Sequence, residues 1–324
     1  METRENILLI RLKSIGDILF TLPAVHAVRE NYPEAKLHFL VSKEHAPLLR
    51  GFSDVDEIIP LDRAVFHSGN LPAICSSAFS LVRRLRREKF SLAIDFQGYG
   101  ETAWLTWLSG ARESWGSVDQ AARAWAYTRG EMRDITIHPA EGNLSLLRRC
   151  GLRIGEIHNE YNLPEDILDE AKQFFTANNL ELAKPALFLQ PFTSSPHKNW
   201  PLEKFLELAR HFQSRGVQII FGGGPSERPA LEPARAEGFA ISAGVPLLVS
   251  AGLIKLSTLA LGADTGLLHL GVAMDKRVVM LMLSTRPGQT HPFQHVDWAI
   301  TPPSGKKVSE IPVAEVIEKC GRNF

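Results

Sequence analysis

Three short segments of this 324-residue chain hold residue types that move protons and stabilise anions. The first is Lys13-Ser14-Ile15-Gly16-Asp17, directly behind the apolar run ILLIRL (7–12). Gly16 permits a tight turn, and Asp17 falls where a helix begins. A carboxylate there is favoured by unpaired backbone N–H groups and the helix dipole, so helix capping is its plain reading. At a strand end that opens on a cleft, the same carboxylate has the reach of a general base. Lys13 either meets an anion or stays solvated.

The second segment is Thr193-Ser194-Ser195-Pro196-His197-Lys198-Asn199-Trp200-Pro201, after the apolar run ALFLQP (186–191). Hydroxyls, a lysine and a helix start crowd together, the combination that holds phosphate oxygens. The plain alternative is a polar loop before a capped helix, with Trp200-Pro201 setting the turn. The third is Gly262-Ala263-Asp264-Thr265-Gly266-Leu267-Leu268-His269-Leu270, read as strand, Asp-Thr-Gly, then helix. Thr265 and Gly266 would offer N–H groups at a helix N-terminus. Asp264 and His269 read equally as structural residues, one holding the loop and the other satisfied within the helix. A weaker signal is Phe221-Gly222-Gly223-Gly224-Pro225-Ser226-Glu227, where Glu227 stands in the place of a third glycine. That departure from G-x-G-x-x-G leaves a nicotinamide enzyme unsupported, and the chain has no G-x-x-x-x-G-K-[ST]. Glu227 reads either as a ribose acceptor of hydrogen bonds or as a first-turn helix acid.

These loops must be held by an alternating scaffold. Apolar runs at 7–12, 36–41, 57–61 and 91–96 alternate with helical stretches at about 17–30 and 71–89. After a helical approach to a linker near 165–185, the alternation resumes. Runs at 186–191, 217–224, 259–264 and 278–283 are separated by helices at 202–214, from about 226, 246–256 and 266–274, with a last helix at 313–320. That grammar predicts α/β domains built on parallel sheets, two of ~150 residues each. Ligands of such sheets bind beyond the carboxyl ends of the strands, where the three loops lie.

Composition narrows the class. Lys plus Arg and Asp plus Glu are both 36, so the formal net charge is zero and broad nucleic-acid binding is not expected. The three cysteines, Cys75, Cys150 and Cys320, are far apart, which predicts reduced thiols in a cytosol. No signal peptide or membrane span is expected. LVRRLRREKF (81–90) gathers Arg83, Arg84, Arg86, Arg87 and Lys89 on one helix, read as a solvated face or as a contact with anionic lipid headgroups. There is no D-x-D after a strand and the histidines are scattered, so no metal site is expected.

Taken in order, ILLIRLKSIGDILFTLPAVHAVRENYP, DFQGYGETAWLTWLSGARESWG (95–116), QPFTSSPHKNWPLEKFLELA and GADTGLLHLGVAM resemble glycosyltransferase family 9, nearest its heptosyltransferase I branch. The resemblance runs from about residue 7 to 295. It implies an α/β GT-B fold: two Rossmann-like domains facing a central cleft, with the acceptor on residues 1–170 and the nucleotide sugar on 171–324. The C-terminal helix is left free to pack back on the first domain. The resemblance further implies inverting transfer of heptose from ADP-heptose to the Kdo-bearing inner core of lipopolysaccharide, with no cofactor. The protein would be cytoplasmic, peripheral at the inner face of the inner membrane. Asp17 matches the family's catalytic aspartate and Lys198 its donor-loop lysine. Thr193, Ser194, Asp264, Thr265, Gly266 and His269 match donor positions, Glu227 the ribose acid, and Lys13, Ser14 and Gly16 lie beside the acceptor. Leu268 and the loop TRPGQTHPF (285–293) depart from the family pattern. Rival readings are a GT-B glycosyltransferase with another nucleotide sugar or acceptor, a nucleotide-sugar epimerase on the same fold, and a non-catalytic GT-B binding protein.

Overall fold

The structure is a computed structural model that describes residues 5–66, 68–285 and 288–324. Arg286 and Pro287, inside the loop noted at 285–293, lie outside the described residues. The chain divides into two compact units, Met1–Glu160 and Tyr161–Phe324.

The first unit holds six strands: β1 (Asn6–Ile10), β2 (Lys36–Ser42), β3 (Glu57–Leu61), β4 (Leu92–Asp95), β5 (Glu113–Val118) and β6 (Arg129–Met132). They form one parallel sheet in the order β3-β2-β1-β4-β5-β6. The second unit holds β7 (Ala186–Gln190), β8 (Gln218–Phe221), β9 (Ala240–Ile241), β10 (Leu259–Ala263), β11 (Val278–Leu281) and β12 (Ala299–Ile300). Its sheet is also parallel, in the order β12-β11-β10-β7-β8-β9. Counted from each unit's first strand, both sheets run 3-2-1-4-5-6, the doubly wound order. The order reverses between β1 and β4 in one unit and between β7 and β10 in the other.

The central strands form because they are apolar on both sides. Ile7, Leu8, Leu9 and Ile10 of β1 are fully buried, as are Leu259, Ala260 and Leu261 of β10. A strand covered by helices on both faces reads as a continuous apolar run. The edges are different. β3 carries Pro60, β6 is Arg-Gly-Glu-Met, and β9 and β12 are two residues each.

Several elements depart from the sequence reading. The single helix expected at about 17–30 is two, Ile15–Leu19 and Leu22–Asn31. Pro23 explains the break: it has no N–H to continue the first helix and suits the first turn of the second. The stretch from about 226 forms short turns and a five-residue helix, Glu232–Ala236, with Pro225, Pro229 and Pro233 punctuating it. The division falls at Glu160 and Tyr161, against the 170/171 boundary read from the sequence. Helix Glu165–Ala177 packs on helix Leu247–Leu256, where Gly252 lets Ala171 approach so closely that a side chain would clash. The C-terminal helix spans Val313–Gly321. It packs on helix Leu202–Gln213 and adds Val316 and Cys320 to the second core. Burial pushes the Cys320 thiol up to about 12.

His38 on β2 is fully buried and neither ring nitrogen has a hydrogen-bond partner. Burial lowers its pKa below the ordinary value of 6.5, despite Glu57 at 3.6 Å and Glu88 at 3.9 Å. The unfolded chain therefore takes up this proton before the folded one does. The neutral ring's advantage is complete above about pH 6.5 and is lost as pH falls below it. His38→Asn, which cannot titrate, is expected to show a smaller fall in melting temperature than the parent between pH 7.5 and pH 5.5 by scanning calorimetry (about these values). An equal fall in both would remove His38 from the account.

Candidate active site

The reversal point of each sheet carries a polar cluster, and the strands explain why. β1 ends at Ile10, and the chain leaves it through Arg11, whose side chain is almost buried. Arg11 Nη1 donates to the Phe96 carbonyl at 2.7 Å, Nε donates to the Lys13 carbonyl at 3.0 Å, and Nη2 pairs with Asp17 Oδ2 at 2.8 Å. Ser14 Oγ and the Ser14 N–H donate to the same oxygen, at 3.2 and 3.3 Å. Ser14 is thus the N-cap residue, and Asp17, three positions on, is not. Its carboxylate is about a third exposed, and Oδ1 accepts nothing from the described residues. One oxygen is clamped while the other stays open to a ligand.

On β4, Asp95 lies fully buried and supports this loop. It accepts from the Gln97 and Gly98 N–H groups and from the Tyr127 hydroxyl at 2.7 Å. Burial raises the Asp95 carboxyl against the pull of those donors. Gln97 in turn accepts from the Leu12 N–H through Oε1 at 2.9 Å, which ties the β4 end to the β1 end. Its Nε2 is buried without a partner. Gly98 has φ +65°, and a Cβ there would collide with the Ser117 carbonyl, so only glycine fits the turn.

In the second unit, Lys198 and Asp264 meet. Lys198 Nζ donates to Asp264 Oδ2 at 2.8 Å, Thr290 Oγ1 donates to the same oxygen at 3.0 Å, and His269 Nε2 lies 2.9 Å from Oδ1. Burial opposes the charge on Asp264, but His269 and Lys198 override it and hold the carboxyl well below the usual range. Asp264 directly follows β10 and Lys198 lies in the loop after β7, so the adjacency of these two strands brings them together across 66 positions. Thr265 caps helix Gly266–Ala273. Lys198 keeps two of its three N–H donors beyond the Asp264 bond, and its side chain is 40% exposed.

Not every donor-side residue joins this cluster. Thr193 accepts the Ser195 N–H and donates its hydroxyl to the Ser195 carbonyl, closing its own turn, while Ser194 is exposed beside it. Glu227 turns back to accept the Gly224 N–H at 2.7 Å and so braces the loop after β8. Gly222 is explained by packing: a Cβ there would strike the Phe188 ring and Gln190. Trp200 is buried and donates to the Ile311 carbonyl, as expected of a residue that sets the turn. Sequence reasoning missed Arg11, Asp95, Gln97, Tyr127 and Thr290. Arg11 left one signal, a charge within an apolar run; Thr290 left none.

Two Rossmann-like units in one chain define the GT-B class of α/β fold, and solved structures agree. A glycosyltransferase family 9 structure from Veillonella parvula matches with a TM-score of 0.89 at 20% identity, over 99% of this chain and 98% of that one. The structure of Escherichia coli heptosyltransferase WaaC with ADP matches at 0.79 and 21% identity, over 98% and 100%. The same fold reaches a UDP-GlcNAc 2-epimerase from Methanocaldococcus jannaschii at 0.57 and 13% identity, over 98% and 92%. Among curated proteins, the lipopolysaccharide core heptosyltransferase OpsX of Haemophilus influenzae is 22% identical, with the match spanning all of this chain and 93% of the relative. Lipopolysaccharide heptosyltransferase 1 of Pseudomonas aeruginosa is 26% identical over 88% of this chain and 80% of the relative. The sequence model of glycosyltransferase family 9 (heptosyltransferase) matches residues 78–310, and the chain belongs to that family. It is a glycosyltransferase.

Proposed function

We propose that this enzyme transfers heptose from ADP-heptose to the Kdo-bearing inner core of lipopolysaccharide, with inversion at the anomeric carbon. The observation that carries the reading is the placement of one polar cluster at the reversal point of each sheet: an open carboxylate in the first unit and an exposed lysine in the second. Membership of a heptosyltransferase family supports the sugar, and a WaaC structure holding ADP-2-deoxy-2-fluoro heptose, at 21% identity, supports the nucleotide. Residues 1–160 then hold the acceptor, with Lys13, Ser14 and Gly16 beside it, and 161–324 hold the donor.

The reaction in this reading is a single displacement. Asp17 Oδ1 accepts the proton of the acceptor hydroxyl as its oxygen attacks the anomeric carbon. The bond from that carbon to the diphosphate oxygen breaks, and the electron pair stays with the diphosphate. Arg11 holds Asp17 Oδ2, so the carboxylate presents the other oxygen in one orientation. Lys198 supplies a point charge to the leaving diphosphate, assisted by Ser194, whose turn Thr193 holds in place, and by the N-terminus of helix Gly266–Ala273. Asp264, with His269 and Thr290, positions Lys198, and Glu227 meets the ribose. The lipid-borne acceptor is met at the cytoplasmic face of the inner membrane; no helix among the described residues is long and apolar enough to cross it.

The test is release of ADP from ADP-heptose with and without Kdo-bearing lipid A, with Asp17→Ala as control. Acceptor-dependent release that disappears in the variant supports the reading. Release that ignores the acceptor would point to epimerase-like or hydrolytic chemistry on the same fold. Lys198→Ala is expected to weaken ADP binding by calorimetry and to lower turnover by about 10²–10³-fold, the loss typical of one preorganised donor. Unchanged affinity and turnover would sink that role.

A further inference from the structure

The chain has six tryptophans, and they sort into two groups. Trp115, Trp200 and Trp298 are buried. Trp104, Trp107 and Trp125 are 54%, 51% and 50% exposed, yet they touch one another. Their ring centroids stand 4.7 Å apart for Trp104 and Trp125, 5.7 Å for Trp104 and Trp107, and 6.3 Å for Trp107 and Trp125, all edge to face. Trp104 and Trp107, three apart, share one face of helix Gly100–Ser109, whose opposite face buries Ala103, Thr106 and others against the sheet. Trp125 comes from the separate turn Ala121–Ala126. Two segments thus converge to leave three large rings half in water.

The charge around the rings says what would cover them. The acids nearby are already matched: Glu101 is held by Arg63 through two bonds of 3.0 Å, and Asp119 by Arg123. The neighbouring helix Leu71–Arg87 ends in a basic turn, and its Arg86 donates to the Leu108 carbonyl on the tryptophan helix itself. Arg83 and Arg87 are exposed and make no hydrogen bond or ion pair among the described residues. In a chain of zero formal net charge, this local excess is not a by-product of composition. Phe79, 70% exposed, lies four residues before Arg83 on the same helix face. Tryptophan is amphipathic and settles at the level of lipid headgroups, and uncompensated arginines beside it favour anionic ones.

We infer that Trp104, Trp107 and Trp125, together with Arg83, Arg86 and Arg87 of the helix packed beside them, form a docking surface that inserts into the headgroup layer of an anionic phospholipid membrane. The inference deepens the reading of a lipid-borne acceptor and rests on it for its purpose, but it is tested without turnover.

The probe is vesicles of phosphatidylglycerol and phosphatidylethanolamine, with pure phosphatidylcholine vesicles beside them. The full chain is expected to co-sediment with the first and not the second, with a blue shift of tryptophan emission and quenching by brominated lipid. Trp104→Phe, Trp107→Phe and Trp125→Phe together should keep the binding and lose the shift. Replacing all three with serine should weaken binding more than tenfold while ADP affinity, measured as a check on folding, is retained. Arg83→Gln with Arg87→Gln should weaken it roughly twenty-five-fold at low salt, on the order of five-fold for each charge. No binding to the anionic vesicles, or binding that survives the serine triple variant, overturns the inference. So does concentration-dependent dimerisation that the serine variant abolishes, because a second copy would then be the occupant. Vesicle binding without ADP release would leave this surface standing and the transfer reaction refuted; release from detergent-dispersed acceptor without vesicle binding would do the reverse.

Discussion

Asp17→Ala is expected to lower transfer by about 10²–10⁴-fold, the range for loss of a general base, while ADP affinity stays within about two-fold of the parent. The split follows from where the residue sits. Asp17 belongs to the first unit and, among the described residues, its carboxylate pairs with Arg11 and Ser14 of its own loop, whereas the lysine and helix N-terminus assigned to the diphosphate belong to the second. In the proposed mechanism its removal therefore takes away a proton acceptor and no donor contact. Asp17→Asn sharpens the test, because the amide keeps the shape and loses the basicity. Both variants should be slow, and the slow step should be chemistry, seen as loss of the single-turnover rate. Arg11 loses one of three partners in the alanine variant but still donates to the Phe96 and Lys13 carbonyls, so the fold should hold. A variant that turns over at the parental rate would show that another group takes the proton.

Asp264→Ala is expected to damage binding and stability together. The carboxylate is mostly buried and accepts from Lys198 and Thr290 on one oxygen and meets His269 on the other. Taking the acid from a mostly buried charged set typically costs up to about 3–5 kcal/mol, because the burial of its partners is no longer offset by the carboxylate. Lys198 would also lose its tether, so ADP affinity should fall alongside the melting temperature. The pH dependence separates this from a simple cavity. Asp264 has a native pKa below its ordinary value of 3.8, so its stabilisation is complete above the ordinary range and is lost as pH falls through the native value. The parent should accordingly lose its advantage over Asp264→Ala as the medium is made strongly acid. A constant difference in unfolding free energy from neutral pH down to that range would show that the charge is not what matters.

Much of the frame was readable because central parallel strands are written as unbroken apolar runs. The runs at 7–12, 186–191 and 259–264 become β1, β7 and β10 with shifts of a residue or two at their ends. Of the outer strands, β3 was readable as the run at 57–61, whereas β6, β9 and β12 were not. β6, Arg-Gly-Glu-Met, has no apolar pattern; it is a strand by virtue of its parallel pairing with β5, with Arg129 opposite Trp115. The site shows the same division. Lys198 and Asp264 stand out one by one as residue types in loops, but their pairing is set by strand order, which no local pattern encodes. Asp17 is recognisable at a helix start, yet its clamp depends on Arg11, which looks from sequence like an interruption of a strand. Asp95 and Tyr127 meet across 32 positions inside the first core and leave no trace in either segment.

The four outer strands also bear on how the protein survives its own concentration. An exposed strand edge is a row of unpaired amides and carbonyls on which another chain can extend the sheet. Here each edge is spoiled by a different means. Pro60 removes a donor from β3, Arg129 and Glu131 place charges along β6, and β9 and β12 are too short to template a partner. Strand-to-strand fibre growth is therefore blocked at both ends of both sheets, and any self-association of the folded chain must proceed through side chains. Crowded expression should yield soluble protein or amorphous precipitate, not ordered cross-β deposits.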